Sequence, residues 1–491
     1  MSGRIHCALS AAAVSLLALA ASVPSPAHAA VFTVTKTADT ADGACGADCS
    51  LREAVLAANS LDGPDVVILG PGIYPLTRSG AGEDLGATGD LDLRDDVALV
   101  GAAAAGTIVD GGRLDRVFDV LAGVHAEIQG LTARNGLVTG PGGGLRNAGS
   151  LTFSRGVVSG NSATTVTGFG GGIWSSGSTS ELFLSESAVL SNRAAGGGGG
   201  LAVGGPARVS NTTLASNTAA DYGGGIYAYA NTDALLSELT VTGNTSGKKG
   251  GGIFAEGSPF IGINHPELRD TILAANTAAS QRDCSGAVSS GGYNLLGEGF
   301  DCIDFKVAHH DLVGTTAALL NPQLAPLDWN GGPAPTYALL AASPARGAGN
   351  DCAETDQRGQ RRPDGGCDVG AFQGGTDCLD GGPVLCLNQQ RFRVTAAWKR
   401  PGAAGTGKGM RLNGDSGTFW FFDPANVELT AKVINGCAAT SRYWVFLSGL
   451  TNIETTVTVT DTKTGKVKSY RNPPNTTFVT RLDTDAFNTC P

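Results

Sequence analysis

A short glycine-rich unit recurs five times between residues 140 and 280 and constrains the fold more than any other feature of the chain. Each copy contains a Gly-Gly-Gly triplet followed by Leu or Ile, and successive triplets begin 28, 28, 25 and 27 residues apart. Later in each copy, a short apolar alternation ends at an Asn. The recurring positions are the middle glycines Gly143, Gly171, Gly199, Gly224 and Gly251 and the asparagines Asn161, Asn192, Asn217, Asn244 and Asn276.

A repeat of this length predicts a solenoid in which each copy forms one coil of parallel strands. Leucine-rich repeats are the main structural alternative, but their Leu spacing is absent, and propeller blades need a period of about forty residues. We therefore predict an all-β protein built on a right-handed parallel β-helix, a pectate-lyase-like solenoid. We expect the glycines where the backbone takes positive φ at a tight corner, and we expect the asparagines to hydrogen bond from coil to coil.

Three parts of the chain resemble known exported proteins. The Gly-Gly-Gly-Ile and Asn pairs are similar to the repeats of bacterial polymorphic outer-membrane proteins. Residues 49–54, Cys-Ser-Leu-Arg-Glu-Ala, match the signature of the CSLREA-domain secreted proteins. Asn-Pro-Gln-Leu at 321–324, Trp-Asn-Gly-Gly at 329–332 and Asp-Val-Gly-Ala-Phe at 368–372 resemble the "choice-of-anchor" segment that closes many such helices. The resemblance implies a β-helix and export, but these families share an architecture rather than a reaction.

The start of the predicted solenoid needs an element that covers its first coil. Ser50 as N-cap with Glu53 three residues later is a capping box, and it predicts an amphipathic helix that forms this lid. We prefer this structural role for Arg52 and Glu53 to a catalytic one. At about 25 residues per coil and about 4.8 Å per strand, residues 31–375 allow at most about 13 coils and a rod of about 60 Å.

The N-terminus predicts export. Arg4 precedes an uncharged Ala/Leu run, and Ala27 and Ala29 suit a cleavage site, so residues 1–29 are interpreted as a secretory signal peptide. We expect a secreted protein, extracellular or at the cell surface, with the periplasm as the alternative and no membrane segment after cleavage.

The cysteines fit an oxidising compartment. Without Cys7 their number is even, and they fall into close neighbours along the chain. They predict five local disulfides rather than zinc sites, because no zinc-type spacing recurs. The expected pairs are Cys45 with Cys49, Cys284 with Cys302, Cys352 with Cys367, Cys378 with Cys386, and Cys437 with Cys490.

The composition changes near residue 386, where alternating apolar residues predict the strands of a C-terminal antiparallel β-sandwich. Trp398, Trp420 and Trp444 lie in this module, and we expect them in its core rather than exposed to sugars. The predicted organisation is a signal peptide at 1–29, an N-terminal cap with the first coils at 30–139, the repeats at 140–282, C-terminal coils with a closing segment at 283–376, a linker at 377–385 and the sandwich at 386–491.

A search for catalytic groups finds candidates in two successive predicted coils. With 44 acidic and 34 basic residues the net charge is -10, so nucleic acid is not expected as a partner. Lyases and hydrolases of this fold need several carboxylates and a base on one face, and the candidates are Asp92, Asp96, Arg113, Asp115 and Arg116. Alternating charges beside a strand are more often its solvated face, however, and the repeats expose mainly Ser, Thr, Asn and Gly.

Metal and cofactor sites are not predicted. His309 and Asp311 are candidate metal ligands together with Asp304, but adjacent residues of a strand point to opposite faces. The acidic loops at 39–48 and 351–364 are left as alternatives for structural Ca²⁺, although their spacing matches no Ca²⁺ motif. Nucleophile-elbow, zincin-helix and phosphate-loop motifs are all missing from the sequence.

These observations favour an exported, monomeric β-helix protein without enzymatic activity. Its long polar Ser/Thr/Asn faces suit repetitive ligands, so we expect adhesion or contact with polysaccharides or cell-envelope glycans. The alternative is a polysaccharide lyase or glycoside hydrolase that acts on an acidic glycan. A third hypothesis makes the sandwich a sorting or attachment module and the rod a spacer.

Overall fold

The computed structural model describes residues 29–177, 179–257, 264–299, 302, 305–363, 366–374, 378, 382–388 and 390–490. Residues 1–28 of the predicted signal peptide lie outside the described residues, as do Asp304 and Asp364. Within the described part of the chain, no helix has both the length and the apolar character needed to cross a membrane.

Residues 31–313 form a parallel β-solenoid with three long sheets and one short sheet, and eight successive coils contribute a strand to each long sheet. Sheet A contains Val31–Val34, Asp65–Leu69, Val97–Gly101, His125–Gln129, Ser150–Ser154, Glu181–Ser185, Ala207–Ser210, Ala234–Ser237, Glu267–Arg269 and Ser289–Gly292. Sheet B contains Gly72–Pro75, Thr107–Asp110, Thr132–Arg134, Val157–Ser159, Ala188–Leu190, Thr213–Ala215, Thr240–Thr242, Ile272–Ala274, Leu295–Leu296 and Leu312–Val313. Sheet C contains Leu91–Leu93, Phe118–Val120, Leu145–Asn147, Ile173–Ser175, Leu201–Val203, Ile226–Ala228, Ile253–Ala255 and Cys284–Gly286. The short sheet D contains Leu137–Val138, Ser162–Ala163, Arg193–Ala194, Thr218–Ala219 and Thr245–Ser246.

In-register stacking of equivalent side chains builds the interior of the solenoid. Leu99, Ile128 and Phe153 are direct neighbours on successive strands of sheet A, and all three are fully buried. Alternate residues of each strand face inward, so one position per coil adds one layer to the same core. Burying such a side chain stabilises the fold by about 1.5–3 kcal/mol. The predicted parallel β-helix is therefore confirmed.

The repeated asparagines form a continuous ladder inside the turn after sheet B. Asn161 donates its backbone NH and its side-chain Nδ2 to Oδ1 of Asn192, at 3.0 and 2.9 Å. The same double contact joins Asn192 to Asn217, Asn217 to Asn244 and Asn244 to Asn276. Each buried side chain thus satisfies a backbone NH of the preceding coil, which a buried turn requires.

The middle glycines of the triplets are needed for a different reason from the predicted one. Positive φ occurs at the first glycine of each triplet, for example Gly223, and not at the middle one. At Gly224 a Cβ would overlap the carbonyl oxygen of Gly251 in the next coil. The same overlap with the next coil occurs at Gly143, Gly171, Gly199 and Gly251. The repeated middle glycine therefore permits close packing of successive coils rather than a left-handed backbone.

Helix Leu51–Ala58 packs at the start of the solenoid, as the sequence predicts. Ser50 and Glu53 form the expected capping box, with Ser50 NH donating to Glu53 Oε2 at 2.8 Å. Arg52 is fully buried and forms an ion pair with Asp39 at 2.7 Å. The lid is thus fastened by polar contacts as well as by its apolar face.

The solenoid is shorter than the sequence suggested. Its longest sheets have ten strands, which corresponds to a length of about 43 Å at about 4.8 Å between strands. The solenoid ends there because the chain leaves it after Leu312–Val313. The strands Leu324–Asp328 and Thr336–Leu339 form an antiparallel hairpin. Residues 340–374 then run back along the solenoid, where they bind the turns between sheets A and B. These residues lack the glycine triplet and the asparagine that each regular coil uses, so they form a covering segment instead.

The covering segment contacts three successive coils. Asn350 NH donates to Asp270 Oδ1 at 2.9 Å, and Ala353 NH donates to Glu238 Oε1 at 3.1 Å. Asn211 Nδ2 donates to the carbonyl oxygen of Thr355 at 2.9 Å. From residue 350 to residue 355 the contacted coils move toward the N-terminus, and residues 370 and 371 then contact Asp270 and Thr240 again, so the segment covers a side of the rod.

Residues 384–487 form two five-stranded antiparallel sheets that face each other across one core. Sheet E contains Val384–Leu387, Phe392–Arg400, Ala403–Thr406, Glu454–Asp461 and Val467–Asn472. Sheet F contains Lys408–Arg411, Ser416–Trp420, Leu429–Gly436, Arg442–Gly449 and Arg481–Phe487, with the short helix Cys437–Thr440 between its third and fourth strands. The predicted sandwich is confirmed, and its first strand begins at Val384, within the predicted linker.

Phenylalanines, rather than the predicted tryptophans, fill the centre of the sandwich. Phe392, Phe419 and Phe487 are buried in the core, whereas Trp420 and Trp444 are half-exposed and Trp398 packs at the core's edge. Trp420 and Trp444 follow the inward-facing residues Phe419 and Tyr443, so strand alternation directs them away from the core.

Five disulfides join neighbouring cysteines, and each pair is the one expected from the sequence. One lies beside the lid helix, one at the last strand of sheet C, one in the covering segment, and two in or next to the sandwich. The bonds connect Cys45 with Cys49, Cys284 with Cys302, Cys352 with Cys367, Cys378 with Cys386, and Cys437 with Cys490. The predicted disulfide pairing is therefore confirmed.

Candidate functional site

The outward-facing residues of sheet C form one continuous row of side chains, here called the outer column. Each strand of this sheet points its first and third residues inward and its second residue outward. The pairing register places these second residues side by side. In order along the solenoid they are Asp92, Asp119, Arg146, Trp174, Ala202, Tyr227, Phe254 and Ser285. The column is therefore charged in its first part and largely aromatic further along.

Five aspartates gather at the charged end of the outer column and form the acidic cluster: Asp84, Asp90, Asp92, Asp115 and Asp119. One carboxylate oxygen from each of Asp84, Asp92 and Asp119 lies within 4.8 Å of the other two. All members except Asp84 are at most 2% exposed. Such a concentration of buried carboxyl groups is costly unless cations or protons compensate it.

Two arginines compensate part of this charge. Arg116 Nη1 contacts Asp90 Oδ2 at 2.9 Å and Asp119 Oδ2 at 2.8 Å. Arg146, the next member of the outer column, contacts Asp119 Oδ1 through Nε at 3.0 Å. Asp92 accepts a hydrogen bond from Gly86 NH at 2.7 Å, but among the described residues it has no ion pair and its buried Oδ1 has no hydrogen-bond partner.

Arg52 of the lid helix holds the loop that covers the acidic cluster. Its guanidinium donates to the carbonyl oxygens of Gly86, Gly89 and Asp90, at 2.9, 2.8 and 3.0 Å. Glu83 accepts hydrogen bonds from backbone NH groups within the same loop, including that of Leu85. Because of these contacts, the chain from Glu83 to Asp90 closes over Asp92 and leaves Asp84 exposed.

Burial and the proximity of like charges raise the pKa values of three aspartates of the cluster. Desolvation, reinforced by Asp115 and Asp119, raises the pKa of Asp90 to about 7, although Arg116 acts in the opposite direction. Desolvation and the neighbouring charge of Asp90 raise the pKa of Asp92 to about 8. The pKa of Asp119 is raised less strongly, because Arg116 and Arg146 both favour its charged form. The two arginines therefore do not neutralise the cluster fully.

Three of the five catalytic candidates lie in this cluster and two do not. Asp92, Asp115 and Arg116 converge, as described above. Asp96 lies outside it, where its carboxylate accepts from the backbone NH of His125 at 2.8 Å. Arg113 is exposed in a turn with φ of 60°. Asp96 and Arg113 therefore lie apart from the other three candidates, because each belongs to a turn rather than to the sheet register.

Asp311, one of the candidate metal ligands, accepts hydrogen bonds inside the solenoid. Its Oδ1 accepts from Asn294 NH and Nδ2 at 2.9 and 3.0 Å, and its Oδ2 accepts from Ser290 Oγ at 2.8 Å. It thus ends a short asparagine ladder. His309 closes a 3₁₀ turn, Val307–His309, and in the described residues no group of three metal-binding side chains includes it.

The acidic loops that were alternatives for Ca²⁺ are engaged elsewhere. Asp39 pairs with Arg52, Asp48 with Lys36, and Asp356 with Arg358, the last at 2.7 Å. Asp270 lies close to Cys352 and Cys367, but these cysteines form a disulfide and provide no thiolate. The acidic cluster is thus the stronger metal candidate among the described residues.

Six aromatic rings lie further along the same face and form the aromatic patch: Phe169, Trp174, Tyr222, Tyr227, Tyr229 and Phe254. Ring centroids are 4.9 Å apart for Phe169 and Tyr227, 4.6 Å for Tyr222 and Phe254, and 5.5 Å for Tyr227 and Phe254. Trp174 Nε1 donates to Tyr229 OH at 3.3 Å. Tyr227 is nearly buried, whereas the other five rings are partly exposed. The rings fix one another in place before any ligand binds.

Small residues in one coil allow the aromatic rings to meet. Gly197 and Ala202 occupy the positions at which neighbouring coils carry aromatic side chains. A Cβ at Gly197 would overlap the Tyr227 ring and press against Phe169. Rings from the flanking coils lean over this coil, so the patch is continuous across it. From Trp174 to Phe254 it extends about 14 Å, which corresponds to three strand spacings.

Charged groups border the aromatic patch. Lys248 lies 5.0 Å above the Tyr222 ring and pairs with Asp221 at 2.7 Å. Tyr227 OH donates to Glu256, and burial together with this carboxylate raises the pKa of Tyr227. Exposed rings beside hydrogen-bonding groups suit ligands with both apolar faces and hydroxyl groups, as sugars have.

Reasoning from the sequence missed the aromatic patch. The glycines and asparagines by which the repeats align serve the packing of the coils and not the outer surface. The residue after the Leu or Ile of each copy points outward, and reading it across the five copies gives Arg146, Trp174, Ala202, Tyr227 and Phe254. That reading would have found the patch. Asp119 and Asp84 lie outside the regular copies and carry no such signal.

Comparison with known proteins connects the repeat with one family. The model of the Chlamydia polymorphic membrane protein repeat matches residues 238–256, which contain Asn244, Gly251 and Phe254. No curated protein and no solved structure matches the chain significantly. The match supports the polymorphic-membrane-protein-like character of the coils. The resemblance to CSLREA-domain and choice-of-anchor proteins stays a prediction.

Proposed function

We propose that this chain is an exported surface protein whose aromatic patch binds glycans. The match to a repeat of a polymorphic membrane protein supports a location at the cell surface. The solenoid supports a binding rather than a metabolic role, since it presents one long regular face. Secretion through the predicted signal peptide is part of the same proposal.

The arrangement of the aromatic patch is the observation that carries the proposal. Five partly exposed rings lie on one outer face and pack against one another and against Tyr227, whose OH donates to Glu256. A preorganised surface avoids the entropic cost of ordering side chains on binding. Because rings stack on the apolar faces of sugars, a glycan chain laid across the coils would contact several of them at once.

Catalysis on a polysaccharide is a weaker second candidate. The raised pKa values of Asp90 and Asp92 favour it, since a glycosidase needs a carboxyl group that stays protonated near neutral pH. However, Asp90, Asp92, Asp115 and Asp119 are covered by the loop that Arg52 holds. A polymer cannot reach these carboxyl groups unless that loop moves, whereas the aromatic patch is accessible as it stands.

Replacing one ring of the patch tests the proposal. Phe254→Ala removes a stacking surface. For the polysaccharides that retard the wild-type protein in affinity electrophoresis, we expect at least a tenfold loss of affinity. Phe183→Ala is the matched control, because Phe183 is an exposed ring on sheet A, away from the patch. Equal affinity of Phe254→Ala and wild type, with folding unchanged, contradicts the proposal.

The same preparation distinguishes binding from catalysis. Chain length of the bound polysaccharide, followed by viscosity, stays constant for a binding protein and falls for a lyase or hydrolase. Antibodies against the folded protein should label intact cells if the surface location is correct. Absence of labelling on intact cells, with labelling after permeabilisation, contradicts that location.

A further inference from the structure

The acidic cluster has more carboxyl groups than arginine partners among the described residues. Four nearly buried aspartates have two arginines as direct ion-pair partners, and Asp84 adds a fifth carboxylate at the rim. The two in-register neighbours Asp92 and Asp119 point to the same side of sheet C. Like charges directly opposite each other on adjacent strands destabilise a sheet. The cluster therefore favours any ligand that brings positive charge.

Asp92 points to where that ligand binds. Its side chain is fully buried, and within the described part of the chain it has no ion pair and its Oδ1 lacks a hydrogen-bond partner. A buried carboxylate oxygen without a partner is energetically unfavourable, because it has lost its hydration and gained no hydrogen bond. Arg116 and Arg146 both contact Asp119 but leave Asp92 without a cation. We therefore expect the missing cation between Asp92 and the neighbouring carboxylates.

We propose that Asp84, Asp92 and Asp119 bind a divalent cation of the calcium class. Their three carboxylate oxygens lie within 4.8 Å of one another, which a central Ca²⁺ with bonds of about 2.3–2.6 Å spans. The ligands are all oxygens, so the site suits a hard cation and not a thiophilic metal. Asp84 is exposed, which leaves one side of the ion open to water.

The site differs from the aromatic patch and does not depend on it. Asp119 and Trp174 are separated by Arg146 in the outer column, so the proposed ion lies about 10 Å from the indole. This spacing provides a reporter of position, because a tryptophan sensitises the luminescence of a bound Tb³⁺ ion only at short range. Tb³⁺ takes the same oxygen ligands as Ca²⁺.

Titration of the chelator-treated full chain with Ca²⁺ and Tb³⁺ tests the proposal. We expect one saturable Ca²⁺ site by calorimetry, a higher melting temperature with Ca²⁺ and Tb³⁺ emission excited through tryptophan. Trp174→Phe should remove most of this emission while leaving Ca²⁺ binding unchanged. Absence of saturable binding at millimolar Ca²⁺ would overturn the proposal and leave protons as the compensating charge.

Three carboxylate-to-amide variants locate the site. Asp92→Asn should weaken Ca²⁺ binding at least 100-fold and, without Ca²⁺, should melt at a higher temperature than the wild type because a buried charge is removed. Asp84→Asn should weaken binding without affecting folding, since Asp84 is exposed. Asp96→Asn is the matched control and should bind as the wild type does. Equal binding by Asp92→Asn, Asp84→Asn and Asp96→Asn would refute the assignment.

Discussion

A carboxylate ends each asparagine ladder of the solenoid. Asp283 Oδ1 accepts from Asn276 NH and Nδ2 at 3.0 and 2.9 Å, in the place where another Asn side chain would otherwise accept. Asp311 does the same for Asn294. An aspartate is sufficient at this position because its side chain only needs to accept hydrogen bonds there.

Replacement of Asp283 should separate its role as an acceptor from its charge. Burial and the neighbouring Glu298 raise the pKa of Asp283 to about 6, above the value of about 3.9 in an unfolded chain. The unfolded state therefore ionises first, and the stability contributed by this group falls as pH rises from about 4 to about 6. Asp283→Asn keeps the acceptor and lacks this decline, so it should equal or exceed the wild type in stability at pH 7.

Asp283→Ala provides the contrast. It leaves two buried donors of Asn276 unsatisfied, and we expect a loss of about 1–3 kcal/mol in the free energy of unfolding at pH 4 and at pH 7. Urea unfolding at both pH values measures these differences. If Asp283→Asn loses as much stability as Asp283→Ala at pH 7, the terminal carboxylate has a role other than accepting these hydrogen bonds.

At the scale of the coil, the middle glycine sets the distance between neighbours. Gly224→Ala places a methyl group against the carbonyl oxygen of Gly251, and we expect a loss of about 1–3 kcal/mol in the free energy of unfolding. Gly140→Ala is the control, because nothing lies within 4 Å of its Cβ position and its φ is not positive. Guanidinium unfolding compares the two. Equal stability of the two variants would contradict the packing role of the triplet.

The fold was predictable from the sequence because each coil repeats the same short-range requirements. A glycine triplet and a ladder asparagine recur at a fixed spacing, so five copies indicate one architecture. The end of the solenoid was less predictable, since residues 314–374 retain turns and apolar residues but pack against a side of the rod. The acidic cluster depends on register between Asp92 and Asp119 and on the path of the loop carrying Asp84. Neither follows from a local pattern.

At the scale of the whole molecule, the covering segment joins distant coils. Arg362 is nearly fully buried and donates to the carbonyl oxygens of Asp368 and Gly370, both at 2.8 Å, and to Asn211 Oδ1 at 3.0 Å. Because the last contact crosses to the solenoid, this one side chain fixes both the shape of the segment and its position.

Arg362→Ala should loosen the covering segment without unfolding the solenoid. The substitution leaves acceptors of both the covering segment and the solenoid unsatisfied, which lowers the free energy of local opening by about 1–3 kcal/mol. Limited proteolysis within residues 340–374 should therefore be about tenfold faster or more. The coils up to residue 313 should stay resistant. Arg193→Ala, which removes an exposed arginine of sheet D, serves as the control. Unchanged cleavage of Arg362→Ala relative to this control would show that other contacts hold the segment.

The hydrogen bonds between ladder asparagines have one direction, because every member donates to the side chain of the next member and its Oδ1 accepts from the preceding one. Each member also donates Nδ2 to a backbone carbonyl oxygen of the N-terminal coil, so every coil offers its neighbours the same set of donors and acceptors. A unit of 25 to 28 residues can be duplicated within such a stack, and both ends remain satisfied. Each duplication would lengthen the rod by about 4.8 Å. The length of the rod is therefore set by the number of repeat units, and an added unit needs no change to the interior.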